Sequence, residues 1–263
     1  MDEIAAYNQA RWKALVDADA LFTRPLLDFD AESARRKVDQ EGRLGDVSGK
    51  DVLCLACGGG QQSVAFALLG SNVTVSDLSA EQLVRDDEAA AHYGFNIRTV
   101  QADMRDLSSF EKESFDIVHH AYSINFVPSV RQVFQQVARI LRSGGVYHFY
   151  VANPFIMGVG YQSWNGTAYQ LTQPYVSDAE ISYEDQNWVY DRAIREQILN
   201  PKEYRHTLSD VVNGLFDAGF LIRYLSESAD MHPDLNAEPG SWDHFVAFAP
   251  PWLSIWAELE IER

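Results

Sequence analysis

Asp51-Val52-Leu53-Cys54-Leu55-Ala56-Cys57-Gly58-Gly59-Gly60-Gln61-Gln62-Ser63 reads as a short apolar strand that runs straight into three consecutive glycines and opens a helix near Gln61. The continuous apolar run from Val52 to Ala56 is the pattern of a parallel strand buried on both faces. Glycines after it let the backbone turn sharply and approach a ligand closely. In a doubly wound α/β sheet, ligands bind at the carboxyl ends of the strands where the strand order reverses, usually beside the first strand. This stretch therefore predicts both the fold class and the place of the site.

Two further strand ends fit a nucleoside lying there. Val73-Thr74-Val75-Ser76-Asp77 is β-branched and ends in an acid 19 residues after Gly58, where a carboxylate can accept hydrogen bonds from ribose hydroxyls. Ile97 to Met104 forms a third strand that closes on Asp103 and Met104. An adenine asks for an acceptor at its amino edge and soft packing on its face, and this pair offers both.

Together, the glycine loop, Asp77 and Asp103-Met104 resemble the class I methyltransferases that use S-adenosylmethionine, over residues 46 to 150 and more weakly to the end. The resemblance implies a doubly wound, Rossmann-like, seven-stranded and mostly parallel α/β sheet with an antiparallel last strand, an N-terminal helical lid and an insertion after the fifth strand. It implies one methyltransferase domain over 1–263, divided into a lid (1–45), a cofactor-binding core (46–152), an insertion or cap (153–205) and the C-terminal part of the sheet (206–263). The implied cofactor is S-adenosylmethionine, with contacts expected from Tyr7, Trp12, Ala56, Gly58, Gly60, Gln61, Gln62, Asp77, Leu78, Asp103, Met104 and His120. One departure stands out. Family members usually carry an acid in the middle of the first strand and a glycine two residues later, where this chain has Cys54 and Ala56. That acid commonly helps to hold the ligand's ammonium group.

Composition narrows the partners. A net charge of −17 argues against the nucleic-acid backbone, which has to be neutralised by Lys and Arg, and favours a small neutral or cationic acceptor. No apolar run approaches a membrane span and Met1-Asp2-Glu3-Ile4 lacks the basic start of a signal peptide, so a soluble, cytoplasmic protein is expected. The two cysteines, Cys54 and Cys57, form a C-x-x-C. On extended chain their Cα atoms stand about 10 Å apart, beyond disulfide reach. With no further Cys and no spaced histidines, a zinc set is not expected either.

Outside the cofactor core, residues 4 to 18 show helical spacing with Tyr7 and Trp12 on or beside the apolar stripe, as a lid would. Asp30 to Asp39 reads as a second helix, and Ser79-Ala80-Glu81-Gln82 as a capping box that starts the helix after Asp77 and runs it to about Tyr93. Phe115 to Tyr122 is the fourth strand, Val130 to Leu141 the helix after it, and Val146 to Ala152 the fifth strand. Tyr161, Trp164, Tyr169, Tyr175, Tyr183, Trp188 and Tyr190 then crowd an aromatic segment expected to roof the acceptor pocket, the alternative being a surface against a second copy in a homodimer. A helix follows Tyr204-Arg205-His206 and stops at Gly219. Leu221 to Leu225 and His244 to Phe248 are expected as the last two strands, with Pro250-Pro251 ending the sheet and the Trp252 to Trp256 tail packing back on it.

The leading reading is methyl transfer to a small acceptor. His120, Tyr204 and His206 are the candidates should a base be needed. A nicotinamide-dependent dehydrogenase is the alternative enzyme, since Gly58-x-Gly60 with Asp77 partly fits a dinucleotide fingerprint, but Ser63 stands where its third glycine belongs. A catalytically silent S-adenosylmethionine-binding protein is the alternative outside enzymes.

Overall fold

A computed structural model describes residues 1–182, 198–227 and 232–260. Tyr183, Trp188 and Tyr190 lie outside the described residues. Strand β1 (Asp51–Leu55) is an interior strand of a seven-stranded sheet, with β2 (Asn72–Asp77) on one side and β4 (Phe115–His120) on the other. Beyond them lie β3 (Arg98–Gln101), β5 (Leu141–Ala152), β8 (Phe220–Ser226) and β9 (Trp252–Leu259), in the order β3-β2-β1-β4-β5-β9-β8. The first five strands run parallel, while β9 is antiparallel to both β5 and β8. The chain winds outward from β1 through β2 and β3, then returns to β4 on its other side. The order therefore reverses beside β1, where the glycine loop begins.

The apolar run of β1 is continuous because both of its faces are covered. Leu53 and Leu55 enter one core with Val118, Tyr147 and Phe149, packed against α5 (Val130–Ile140) and α6 (Leu208–Asp217). Val52 and Cys54 enter the other, with Val64 and Phe66 of α3 (Gln62–Leu68), Leu83 and Ala89 of α4 (Ala80–Tyr93), and Ala34 and Val38 of α2 (Ala31–Asp39). Alternate side chains point to opposite faces of a strand, so a sheet with helices on both sides needs apolar residues at every position.

Helix α1 (Glu3–Asp17) lies across the carboxyl ends of the strands. Asn8 donates to the Phe126 carbonyl after β4 at 3.0 Å, and Gln9 to the Leu78 carbonyl after β2 at 3.4 Å. Arg105, after β3, reaches Asp2 at the start of the helix at 2.7 Å. These bonds hold the expected lid over the carboxyl edge.

Three expectations are corrected. His244 to Phe248 is not a strand. It belongs to α7 (Trp242–Phe248), because the Ser241 side chain accepts the His244 N–H as an N-cap. The final strand is instead β9, the stretch read as a tail. Pro250 and Pro251 stand before its first residue, where their missing N–H groups interrupt no ladder, and the Pro251 carbonyl still accepts from Asn153. Strand β5 starts at Leu141, five residues early, because its ladder with β4 shifts register between Phe115 and Ile117 and Gly144, at φ 76°, accommodates the irregularity. The 153–205 segment does hold an antiparallel pair, β6 (Glu180–Ser182) with β7 (Lys202–Tyr204). Its aromatics Tyr161 and Tyr169 pack on α7, and Trp164 lies against Tyr169 and His244.

Candidate cofactor and active site

The chain leaves β1 through Ala56 at φ 47°, a left-handed conformation that favours glycine. The three glycines that follow are held from behind by two carboxylates. Gly58 donates its N–H to Asp77 at 2.9 Å, while Gly59 and Gly60 donate theirs to Asp86 of α4 at 2.9 and 3.1 Å. The Ser63 hydroxyl donates to the same Asp86 carboxylate. Helix α4 approaches too closely for side chains in the loop. A Cβ on Gly58 would meet the Gln82 Cβ at 2.6 Å, and one on Gly60 the Arg85 carbonyl oxygen at 2.6 Å.

Burial shapes the charges here. It pushes the Asp86 carboxyl up to about 7 and raises Asp77, against hydrogen bonds that favour the ionised form. The Cys54 and Cys57 thiols are buried and raised, so both stay protonated, structural residues, and Cys57 accepts the Ala121 N–H at 3.1 Å.

The other expected cofactor residues have partners of their own. Gln61 donates to the Arg24 carbonyl at 3.0 Å, and Gln62 opens α3. Asp77 also accepts the Ser79 N–H at 2.9 Å, which makes it part of the entry to α4. The Leu78 carbonyl accepts from both Gln9 and Gln101. Asp103 is engaged by Arg105 at 2.6 Å, and Met104 packs against the first core. Tyr7 donates its hydroxyl to the Asn200 carbonyl at 2.8 Å, and Trp12 meets Phe126 edge-on at 5.9 Å.

This arrangement fits a nucleoside with a cationic tail. A glycine loop that binds a pyrophosphate leaves its N–H groups free for the phosphate oxygens. Here Gly58, Gly59 and Gly60 have already given theirs to carboxylates. Two buried polar atoms beside the loop and the strand ends, Gln82 Oε1 and His120 Nε2, have no hydrogen-bond partner among the described residues.

Of the candidate bases, His120 is fully buried, bound through Nδ1 to the Tyr147 hydroxyl at 2.9 Å and lowered by burial to about 3. Its imidazole is neutral and weakly basic. His206 is also buried and lowered, with Nε2 at 3.1 Å from the Ile124 carbonyl. Tyr204, on β7, lines a cavity of about 250 Å³ with Glu3, Ile4, Tyr7, Asn8, Glu180 and Lys202, beneath α1. Burial raises its phenol, which therefore remains a proton donor. A larger cavity of about 500 Å³ opens at the amino ends of the strands, among Asp51, Asn72 and Arg98, on the edge opposite the glycine loop.

Two features escaped the sequence reading. Asp86 had a signal, being the one acid on the buried face of α4 among Gln82, Leu83, Ala89 and Ala90. The pair of Tyr122 and Glu203 had none. The Tyr122 hydroxyl donates at 2.7 Å to a buried carboxylate 81 residues away.

Comparison with known proteins bears on the family and the fold. Residues 53–149 match the family described as a methyltransferase domain. The chain is 30% identical over 236 residues to the uncharacterized methyltransferase YbaJ of Bacillus subtilis, covering 84% of this chain and 89% of that protein. A ubiquinone biosynthesis O-methyltransferase of Cronobacter sakazakii is 32% identical over 111 residues, 42% of this chain and 46% of that protein. The crystal structure of an S-adenosylmethionine-dependent methyltransferase from Mesorhizobium loti superposes with a TM-score of 0.61 at 22% identity, over 89% of this chain and all of that one. No described helix is long and apolar enough to cross a membrane.

Proposed function

This chain belongs to the class I methyltransferases, whose methyl donor is S-adenosylmethionine, and on that premise we propose that it transfers a methyl group to a small-molecule acceptor seated between α1 and the β6–β7 pair. The observation that carries this reading is the occupation of all three glycine N–H groups by Asp77 and Asp86, which suits a cationic ligand and leaves no glycine N–H for a pyrophosphate. It also speaks against the dinucleotide alternative. When bound, the donor supplies an activated methyl group and leaves as a neutral thioether, so alignment carries most of the acceleration.

The protein's part is then to bind, orient and exclude water. Asp77 keeps unused acceptor capacity beyond the two N–H groups it holds, enough for ribose hydroxyls. Helix α1 covers the carboxyl edge through Asn8, Gln9 and the Asp2–Arg105 pair. Tyr7 and Tyr204 wall the cavity beneath it, and Lys202 lies over the Tyr7 ring at 4.7 Å. In this reading the Tyr204 phenol orients the acceptor by donating a hydrogen bond, while His120 and His206, neutral and buried, take no proton. The net charge of −17 supports an acceptor that is neutral or cationic rather than phosphate-rich.

A screen that detects S-adenosylhomocysteine release over phenols, amines, thiols and enolisable acids tests this directly. Acceptor-dependent release that falls in Tyr204→Phe at unchanged donor affinity supports the reading. Donor binding with no release from any acceptor class would instead favour a silent binding protein.

A further inference from the structure

Asn8 and Gln9 tie α1 to backbone carbonyls, but the contact at the start of the helix ends on a side chain. The Arg105 guanidinium uses two of its edges. Nη1 and Nη2 hold the Asp2 carboxylate at 2.7 and 2.9 Å, while Nε and Nη2 hold Asp103 at 3.0 and 2.6 Å. Both pairings are two-pronged, the arrangement in which a guanidinium fixes the orientation of a carboxylate as well as its place. The backbone beneath is fixed too. The Arg105 N–H donates to Asp103 Oδ1 at 2.9 Å, the Asp106 N–H to the Asp103 carbonyl at 2.8 Å, and Gln132 of α5 to the Arg105 carbonyl at 3.1 Å. The turn after β3 therefore presents Arg105 in one position, with a side chain only 13% exposed.

Asp103 receives three N–H donors, all from Arg105, against about four acceptor positions on an ionised carboxylate. Room remains for one further donor, such as the amino edge of an adenine. Asp2 is engaged from another side. Its Oδ1 also accepts the Ala5 N–H at 2.9 Å as the N-cap of α1, so the atom that starts the lid is one that Arg105 holds.

Resting on the cofactor reading above, we propose that Arg105 couples the adenine end of the cofactor to closure of the lid, because a base seated at Asp103 and a helix anchored at Asp2 share one guanidinium. Arg105 and Asp2 are positioning residues that act through Asp103. With Asp2 in place the guanidinium is held on both edges, and Asp103 keeps a single orientation. A carboxylate oriented in advance loses less freedom when its ligand arrives. The coupling is reciprocal, so the factor by which a closed lid raises cofactor affinity is the factor by which the cofactor favours the closed lid.

Asp2→Asn is the informative exchange, since asparagine caps a helix about as well as aspartate but brings no charge to Arg105. S-adenosylhomocysteine is titrated calorimetrically into the wild type, Asp2→Asn, Arg105→Gln and the double variant. The expected result is a loss of about fivefold for Asp2→Asn in the wild-type background, shrinking to less than about twofold where residue 105 is already glutamine. Wild-type affinity in Asp2→Asn would overturn the coupling, and so would an equal loss in both backgrounds. Should Arg105→Gln fail to fold, the wild type and Asp2→Asn are compared at about 0.05 and about 0.5 M salt. A difference between them that closes at the higher salt supports the inference. One that persists, or no difference at either salt, overturns it. A wild type that binds no S-adenosylhomocysteine would overturn the cofactor reading itself, an outcome distinct from all of these.

Discussion

The Asp77 carboxylate lies 2.9 Å from the Gly58 N–H, so the end of the second strand and the first glycine of the loop are joined by one charge-assisted hydrogen bond. The same carboxylate receives the Ser79 N–H that begins α4. Asp77 thus serves the loop and the helix, and in the proposed reading the ribose as well.

Asp77→Ala should therefore weaken S-adenosylmethionine binding by about ten- to a hundredfold, as expected for losing a bond worth roughly 1.5 to 3 kcal/mol. It should also lower stability by about 1 to 2 kcal/mol, because two backbone donors lose their acceptor. Calorimetry and urea unfolding measure the two effects separately. Unchanged affinity in a folded variant would remove Asp77 from the site.

Ala56 offers the reverse experiment. Its left-handed backbone costs about 1 to 2 kcal/mol for an L-residue, and glycine relieves that strain while adding about 0.4 to 1 kcal/mol of chain entropy to the unfolded state. Ala56→Gly should leave stability unchanged or raise it by about 1 kcal/mol. Gly60→Ala should instead destabilise the fold, since its Cβ would stand 2.6 Å from the Arg85 carbonyl. A clear loss of stability in Ala56→Gly would mean that this turn is not strained.

Acid should unfold the protein from about pH 6.5 downward. Burial holds His119 and His120 at about 3 and lowers His148, so the unfolded chain takes up protons below pH 6.5 that the folded chain refuses. Asp86 works the other way. With a folded value of about 7, it keeps a proton that the unfolded chain releases above about pH 4, and this offsets one of the three. Burial also lowers His206 and raises Asp77, which act in opposite directions, so with about two excess protons in the unfolded state stability should fall by roughly 3 kcal/mol per pH unit between pH 6 and pH 4.5. A flat profile over that interval would contradict the buried neutral histidines, which are joined in the structure by the His119–His148 contact at 3.1 Å.

The lid makes a separate prediction. Arg105 binds both Asp103 and Asp2, so Arg105→Ala should speed amide exchange in residues 3 to 17 and leave β1 unaffected. Adding S-adenosylhomocysteine to the wild type should slow exchange in the same helix. Equal exchange with and without ligand would leave α1 as a packing helix only.

The sheet was legible in the sequence wherever burial on both faces wrote an unbroken apolar run, as in Val52 to Ala56, or wherever a cap announced a helix, as Ser79 does. It failed at the C-terminus for a physical reason. His244 to Phe248 and Trp252 to Leu259 are both apolar and aromatic, and only the Ser241 cap and the place of Pro250-Pro251 tell helix from strand. The candidate site was legible as strand ends, where Asp77 meets the glycine loop and Asp103 meets Arg105. Asp86 showed only as the one acid on the buried face of α4, because its partners are loop amides 26 and 27 residues upstream and no local pattern states that pairing.

The central claim is that the glycine loop, with its N–H groups given to Asp77 and Asp86, takes the cationic sulfonium cofactor and not a dinucleotide. Calorimetric titration of the purified wild type with S-adenosylmethionine, S-adenosylhomocysteine and NADH measures this in one series. The account predicts one-to-one binding of the first two and no heat of binding from NADH. Saturable binding of NADH, with none of S-adenosylmethionine, would contradict it.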